Sequence, residues 1–218
     1  MAKSPVPGRV KTRLTPPFSP QQAARLAEAA LADTLATGAR VPATRHVIAL
    51  DGAPGPWLPG SFDVIGQHGG GLDERIATAL GAVHARLAAP VVLIGMDTPQ
   101  VTAGMLEAAL RPLADGTADA VFGPAEDGGF WLLGLRRPDP ALVRGVPMST
   151  TRTGDLQLTR LAGARLRVRR MPCLRDVDDA TDAALVAGQA PGSRFATALR
   201  AVRADPALAE PTLAEVVR

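Results

Sequence analysis

Tyrosine is absent from this chain, cysteine occurs once, histidine three times, and lysine only at positions 3 and 11. Each shortage excludes something. Five phenylalanines and two tryptophans without tyrosine give no aromatic set on which successive bases could stack, so a single-stranded nucleic-acid surface is not expected. The lone Cys173 cannot close an internal disulfide, which fits a reducing, cytoplasmic compartment. One cysteine and the scattered His46, His68 and His84 cannot build a zinc site. No G-x-S-x-G nucleophile elbow occurs. No run reaches the roughly 18 apolar residues of a membrane span. Met1-Ala2-Lys3-Ser4-Pro5 has no apolar stretch behind its lysine and does not read as a secretory signal. A net charge of +3 is too small to argue for nucleic acid.

What is present has an order. Apolar runs alternate with Ala/Leu-rich amphipathic runs, the pattern of an α/β chain. Helices are predicted over 20–38, 72–87, 103–113, 154–161, 180–186 and 193–202. Ser19-Pro20 and Thr102 mark two of their starts. Strands are predicted over 46–50, 62–65, 91–94, 120–122, 130–135 and 166–171. Val91-Val92-Leu93-Ile94, bounded by Pro90 and Gly95, reads as a strand buried on both faces. The length of 218 residues suits one domain, 1–218, with a doubly wound, mostly parallel but mixed sheet. Ligands bind such sheets outside the carboxyl ends of the strands, so the residues that follow each strand are the ones to read for chemistry.

In Pro5-Val6-Pro7-Gly8-Arg9-Val10-Lys11-Thr12-Arg13-Leu14, three cations fall at alternate positions of a proline-stiffened loop opened by Gly8. Backbone amides with Lys11 and Arg13 suit a diphosphate; a solvated basic turn is the plainer alternative. A P-loop is excluded because Val10, not glycine, precedes the lysine. Both of the chain's lysines lie in its first eleven residues, which hints at a site wanting a compact ammonium; chance is the other explanation. Lys11 and Arg13 are read as exposed loop cations, whose loss costs binding and not fold. Gly95-Met96-Asp97-Thr98-Pro99 puts a carboxylate directly after the buried strand, where Asp97 suits Mg²⁺; the alternative is a turn aspartate capping the next helix, a task Thr102 already serves. Glu126-Asp127-Gly128-Gly129-Phe130-Trp131 sets two acids before two glycines that let a ligand approach. Asp127 suits a sugar hydroxyl or a proton-accepting role, and Asp-Gly is also a turn signal. Trp131, at strand spacing, reads as core.

Arg175-Asp176-Val177-Asp178-Asp179 follows the last strand. Alternation sets Asp176 and Asp178 on one side of an extended backbone. Asp178 can then complete a cation site with Asp97, or cap the next helix, a task for which Asp179 also suffices. Gly69-Gly70-Gly71, entering a helix, suits phosphate or a nucleobase at Gly70 and Gly71. Met148-Ser149-Thr150-Thr151-Arg152-Thr153-Gly154 either lines an acceptor pocket or caps a helix.

Taken in order, the segments from Ala2 to Leu14, Ile94-Gly95-Met96-Asp97-Thr98-Pro99, Glu126 to Trp131 and Asp176-Val177-Asp178 resemble a bacterial GT-A-like family, domain of unknown function 2064. Its members are often named glycosyltransferases, some in arsenosugar biosynthesis. The resemblance runs over residues 2 to about 198. The wider clan includes guanylyltransferases of the molybdenum cofactor and of 2-phospholactate. The resemblance implies a nucleotide-diphospho-sugar transferase fold. It also implies that the first motif holds donor phosphates, that Asp97 corresponds to the clan's metal-binding aspartate and that the Asp178 region matches a second ligand. Two features depart from the family pattern. The glycine loop reads Gly70-Gly71-Leu72-Asp73-Glu74-Arg75, with its acid displaced, and almost nothing precedes Ala2 where the family has an apolar strand.

The expectation is a metal-dependent glycosyltransferase that uses a nucleotide-sugar donor, Mg²⁺ or Mn²⁺ on Asp97 and Asp178, and a small-molecule acceptor contacted by Glu126, Asp127, Gly128 and Gly129. Pro7, Gly8, Arg9, Lys11, Thr12, Arg13, Gly70 and Gly71 are expected on the nucleotide and its phosphates. The alternatives are a nucleotidyltransferase acting on a nucleoside triphosphate and a small phosphate, and a non-catalytic nucleotide-binding protein. Before Pro5 only four residues remain, none of them β-branched, against about five for a useful strand. The first strand is therefore expected to be truncated, with a native start upstream.

Overall fold

The computed structural model describes residues 1–204; the expected domain 1–218 extends past them. Helix starts follow local chemistry. The Ser19 hydroxyl accepts from the Gln22 amide while the Gln22 side chain accepts from the Ser19 amide, and Pro20 opens α1 (Pro20–Gly38). Thr102 caps α3 (Ala103–Ala114), Asp179 caps α5 (Ala180–Gln189) and Ser193 caps α6 (Arg194–Arg203). The helices α2 (Leu72–Leu87) and α4 (Thr153–Gly163) start without a side-chain cap. The helices and the six longer strands fall where the hydrophobic pattern predicts them, with ends displaced by a few residues. Short 3-10 turns at Thr12–Leu14 and Pro140–Leu142 carry no such pattern.

The strands form a mixed α/β sheet in two parts. In the first, β1 (Ala2–Lys3), β2 (His46–Asp51) and β3 (Phe62–Gly66) run parallel in the order β1-β2-β3. The second has the order β4-β6-β5-β7, from β4 (Val91–Ile94), β5 (Ala120–Pro124), β6 (Phe130–Leu135) and β7 (Val168–Arg170). There β6 runs antiparallel to both neighbours and β7 parallel to β5. The parts meet at β1, where the Met1 ammonium donates to Ile94 O at 2.8 Å.

Strand alternation sorts the core into two faces. Ala120, Phe122, Leu133 and Leu135 pack with Ile76, Ala77 and Leu80 of α2 and Leu161 of α4. Val121, Trp131 and Leu132 pack with Leu106, Ala109 and Leu113 of α3 on the other side. One long face of α1 covers β1 and β2, and its flank joins α5 and α6 through Leu26, Phe195 and Leu199.

One strand departs from its sequence reading. β4 is apolar throughout, yet all four of its residues are half-buried, while five of the six in β6 are buried. The cause is a missing neighbour. β1 is two residues long and reaches only the end of β4, so among the described residues the remaining edge of β4 has no strand beside it.

Candidate functional site

The loops after β1, β4, β5 and β7 meet at one edge of the sheet. Backbone bonds stitch them together. The Val177 amide donates to Asp97 O at 2.9 Å, and the Glu126 amide donates to Leu174 O at 3.0 Å beside a parallel bridge between Ala125 and Leu174. Gly8 (φ 73°) turns the first loop, and Lys11 follows in the left-handed region at φ 49°. This sends the Lys11 side chain inward.

Lys11 is the centre of the site. Its ammonium lies 2.9 Å from Asp97 Oδ1 and 3.5 Å from Asp178 Oδ1, donates to Val177 O, and leaves the side chain only 9% exposed. Burial opposes its charge, but Asp97, then Asp178 and Asp176, outweigh burial and raise its pKa above the ordinary lysine value. This corrects the reading of Lys11 as an exposed loop cation. Its partners come from loops far along the chain, which local sequence cannot reveal. Arg13 does fit that reading: it is 76% exposed and reaches Asp178 Oδ2 at 3.2 Å. A cavity of about 260 Å³ opens here, lined by Lys3, Arg9, Lys11, Thr12, Arg13, Asp97 and Asp178 among others. Four cations face two carboxylates across it.

Asp178 also belongs to an acidic cluster. Oxygens of Asp127, Asp176 and Asp178 lie within 4.8 Å of one another. Burial first, and then the charges of Asp127 and Asp178, push the Asp176 carboxyl from 3.8 up to about 6. Asp179 caps α5, so Asp178 is left for the site. Asp97 and Asp178 do converge on one point, but the Lys11 ammonium contacts both, and Asp97 is not part of the carboxylate cluster. Alternation sets Asp176 beside Asp178, but local sequence does not show the cluster, because Asp127 arrives from a different loop.

The remaining expected residues divide. Arg9 and Thr12 line the cavity, and Pro7 and Gly8 form the exposed turn before it. Gly70 and Gly71 do not line it. The anion position at their helix start is taken by the chain's own Glu74, which accepts from the Gly70 amide at 2.6 Å, and the displaced Asp73 accepts from the Gly145 amide at 2.8 Å. The Arg175 guanidinium holds Oε2 of the exposed Glu126. Asp127 uses Oδ1 to accept from the Gly129 amide at 2.7 Å, and its other oxygen is uncommitted among the described residues. Gly128 has φ 88°, and a Cβ there would lie 2.1 Å from Thr151 O. The Gly154 amide donates to Gly128 O at 2.7 Å. The two glycines thus let the acidic loop dock on the start of α4, bringing the hydroxyl-rich segment 149–153 beside it. Trp131 is buried and donates to Pro172 O at 3.0 Å. Among the described residues, no helix is long and apolar enough to cross a membrane.

Comparison with known proteins agrees with this architecture. The family described as "Uncharacterized protein conserved in bacteria (DUF2064)" matches residues 21–150. No curated protein matches the chain. A solved protein from Desulfovibrio desulfuricans G20, named a "putative nucleotide-diphospho-sugar transferase", is similar over 95% of this chain and 93% of its own, with 28% identity and a TM-score of 0.83. A Mycobacterium tuberculosis rv0371c homolog from Mycobacterium sp. strain JC1 is similar over 74% of this chain and 83% of its own, at 22% identity and a TM-score of 0.45.

Proposed function

The chain belongs to the bacterial DUF2064 family, and from that premise we propose that it transfers a glycosyl group from a nucleotide-sugar donor, with Mg²⁺ or Mn²⁺, to a small-molecule acceptor. The likeness to the Desulfovibrio protein supports the nucleotide-diphospho-sugar transferase class. The observation that carries the proposal is the buried Lys11, set against Asp97 and Asp178 beside a cavity rimmed by Arg9 and Arg13.

Arg9, Lys11, Thr12 and Arg13 bind the donor's diphosphate. Arg13 grips oxygens from the solvent side, and Lys11 supplies a fixed positive charge from within, where the leaving nucleotide becomes negative. The acidic residues fit a hard cation. They offer only carboxylate oxygens, the donor type Mg²⁺ and Mn²⁺ prefer. Asp176 is raised first by burial and then by the charges of Asp127 and Asp178, and a divalent charge would relieve that repulsion. Asp178 and Asp176 would hold the cation, joined by Asp97 from the other side of Lys11. When bound, it adds Lewis-acid charge at the diphosphate. Asp127, exposed and with one oxygen uncommitted, accepts the proton of the acceptor hydroxyl. The segment 149–153 lines the acceptor's approach.

A thermal-shift series of nucleotides and nucleotide-sugars, each with and without Mg²⁺ or Mn²⁺, tests this reading, because a ligand of the folded state raises Tm by mass action. A nucleotide-sugar that shifts Tm only with metal and then releases its nucleoside diphosphate is the expected result. Pyrophosphate release from a triphosphate moves the protein to the nucleotidyltransferases. Binding without metal dependence or turnover makes it a non-catalytic nucleotide binder.

A further inference from the structure

The candidate site uses one end of the sheet. At the opposite end β5 and β7 begin and β6 stops, with Ala120 opposite both Leu135 and Val168. Arginines gather there. The next row across the strands is Arg136, Asp119 and Arg167: the Arg136 amide donates to Asp119 O and the Asp119 amide to Arg167 O, each at 2.9 Å. Arg167 takes the carboxylate of that row, donating to both Asp119 oxygens at 2.8 and 2.9 Å. The Arg136 guanidinium packs on Gly116, where a Cβ would meet it at 2.8 Å. Arg111 is close by: the Asp115 carboxyl is lowered first by the Thr117 hydroxyl and amide, and then by the charges of Arg111 and Arg136. Among the described residues, Arg111, Arg136, Arg169 and Arg170 make no ion pair, and the last two stand exposed on β7.

β7 is also the last strand of its part of the sheet, and among the described residues no strand lies beyond it. Its inner edge is in use: the Ala120 amide donates to Arg167 O at 3.2 Å, and the Met171 amide to Phe122 O at 2.8 Å. Between those bonds, alternation turns the N–H and C=O of Val168 and Arg170 outward. Leu166 and Val168 lie half-buried on the side of α2 and α4, so Arg167 and Arg169 stand on the side of α3. We propose that this edge docks an extended acidic segment of a partner protein, in which Asp or Glu alternates with apolar residues. The segment adds a strand to β7 through the outward groups of Val168 and Arg170. Its acids fall beside Arg167 and Arg169, and its apolar side chains cover Leu166 and Val168. Like charge keeps a second copy of β7 off the edge. None of the exposed large apolar residues Val6, Val64, Leu72 and Leu185 belongs to this end, so it offers nothing to enter a bilayer. The proposal stands apart from the transferase reading, because the surface lies at the other end of the sheet from Lys11.

The test measures, by fluorescence anisotropy on the full chain, binding of labelled Glu-Val-Glu-Val-Glu and of Glu-Glu-Glu-Val-Val, which has the same composition and charge. The alternating peptide is expected to bind about 10-fold tighter and to slow amide exchange at Val168 and Arg170. Arg169→Glu should weaken it about 10-fold. Arg170→Pro removes an outward N–H while leaving the bonds to β5, and should abolish the preference between the peptides. Arg170→Gln, which loses the same charge and keeps the N–H, should retain that preference. If Arg170→Pro does not fold, the exchange of Val168 and Arg170 in the parent protein decides. Equal binding of the two peptides, or unchanged exchange at those two amides, overturns the proposal and leaves a diffuse basic surface. Tighter binding of a DNA duplex or of phosphatidylglycerol vesicles overturns it in favour of a nucleic acid or a membrane.

Discussion

Two cations organise the segment that leads into α5, and they differ in how their carboxylates are used. Arg175 is one-third exposed and holds Glu126 and Asp182, the latter at 2.8 Å. Asp182 has a second structural task, since its other oxygen accepts from the Asp178 and Asp179 amides. In that network Asp182 is fully used, while Glu126 spends one oxygen on Arg175. Lys11 is deeper, and its partners Asp97 and Asp178 are both about one-third exposed to a cavity where Arg13 also reaches Asp178. That network is open on one side. The lesson is that ion pairs three residues apart in sequence can have different purposes. What separates them is whether the carboxylates stand in a cavity: those of Lys11 do, and those of Arg175 do not.

The largest test of this contrast is Lys11→Ala. It leaves the half-buried Asp97 and Asp178 facing each other without a counter-charge, so, with solvent screening both carboxylates, it should cost about 1–2 kcal/mol in denaturant unfolding. It should also weaken nucleotide-diphosphate binding about 30-fold, equivalent to about 2 kcal/mol. Adding Asp97→Asn removes the orphaned charge and should restore most of the stability while binding stays lost. If binding returns with stability, Lys11 is a folding residue and the comparison collapses. Arg13→Ala comes next. Its exposure predicts stability within about 0.5 kcal/mol of the parent and a loss of roughly 5-fold in nucleotide affinity by calorimetry. An unchanged affinity would remove Arg13 from the phosphate site.

Arg175→Ala tests the other network. Its two partly exposed pairs are screened by solvent, so the expected loss is about 1 kcal/mol. Nucleotide affinity should stay within about 2-fold, because neither Glu126 nor Asp182 faces the cavity. A larger binding defect would mean that the two networks are coupled through Asp176.

Much of this molecule was legible in its sequence, for physical reasons that can be named. Ser19, Thr102 and Ser193 announce helices because capping is local, and the apolar runs announce strands because burial is. Asp176 and Asp178 share a side because strand alternation is local. Three features were not legible. The burial of Lys11 depends on Asp97 and Asp178 from other loops. The pairing of Glu126 with Arg175 depends on the Ala125–Leu174 bridge. Gly128 reads as room for a ligand, but the missing Cβ there makes room for Thr151 O, while a Cβ on Gly129 would meet the Asp127 carboxylate. β4 shows the same limit: its apolar run reports a tendency to be buried, not whether a neighbouring strand is there to bury it.

The smallest effect concerns pH, and it separates the open site from ordinary surface carboxylates. Asp119, gripped by Arg167, has its pKa lowered, so its contribution is present above the usual carboxylate value and lost on acidification. Asp176 works in the other direction. Its native pKa of about 6 lies above its ordinary value of 3.8, chiefly through burial and then through Asp127 and Asp178. Between those two values the folded protein binds more protons than the unfolded chain, so stability falls as pH rises through that window. Asp176 is partly exposed and solvent screens it, which limits the change to about 1 kcal/mol. Unfolding midpoints measured from about pH 4 to 7 should therefore decline gently, and Asp176→Asn should flatten the decline. Saturating Mn²⁺ should flatten it in the parent protein as well, because the cation takes over from the proton as the charge that relieves the cluster. A slope that persists in Asp176→Asn would show that the acidic cluster is not its source. A slope indifferent to Mn²⁺ would show that the cluster does not take the cation.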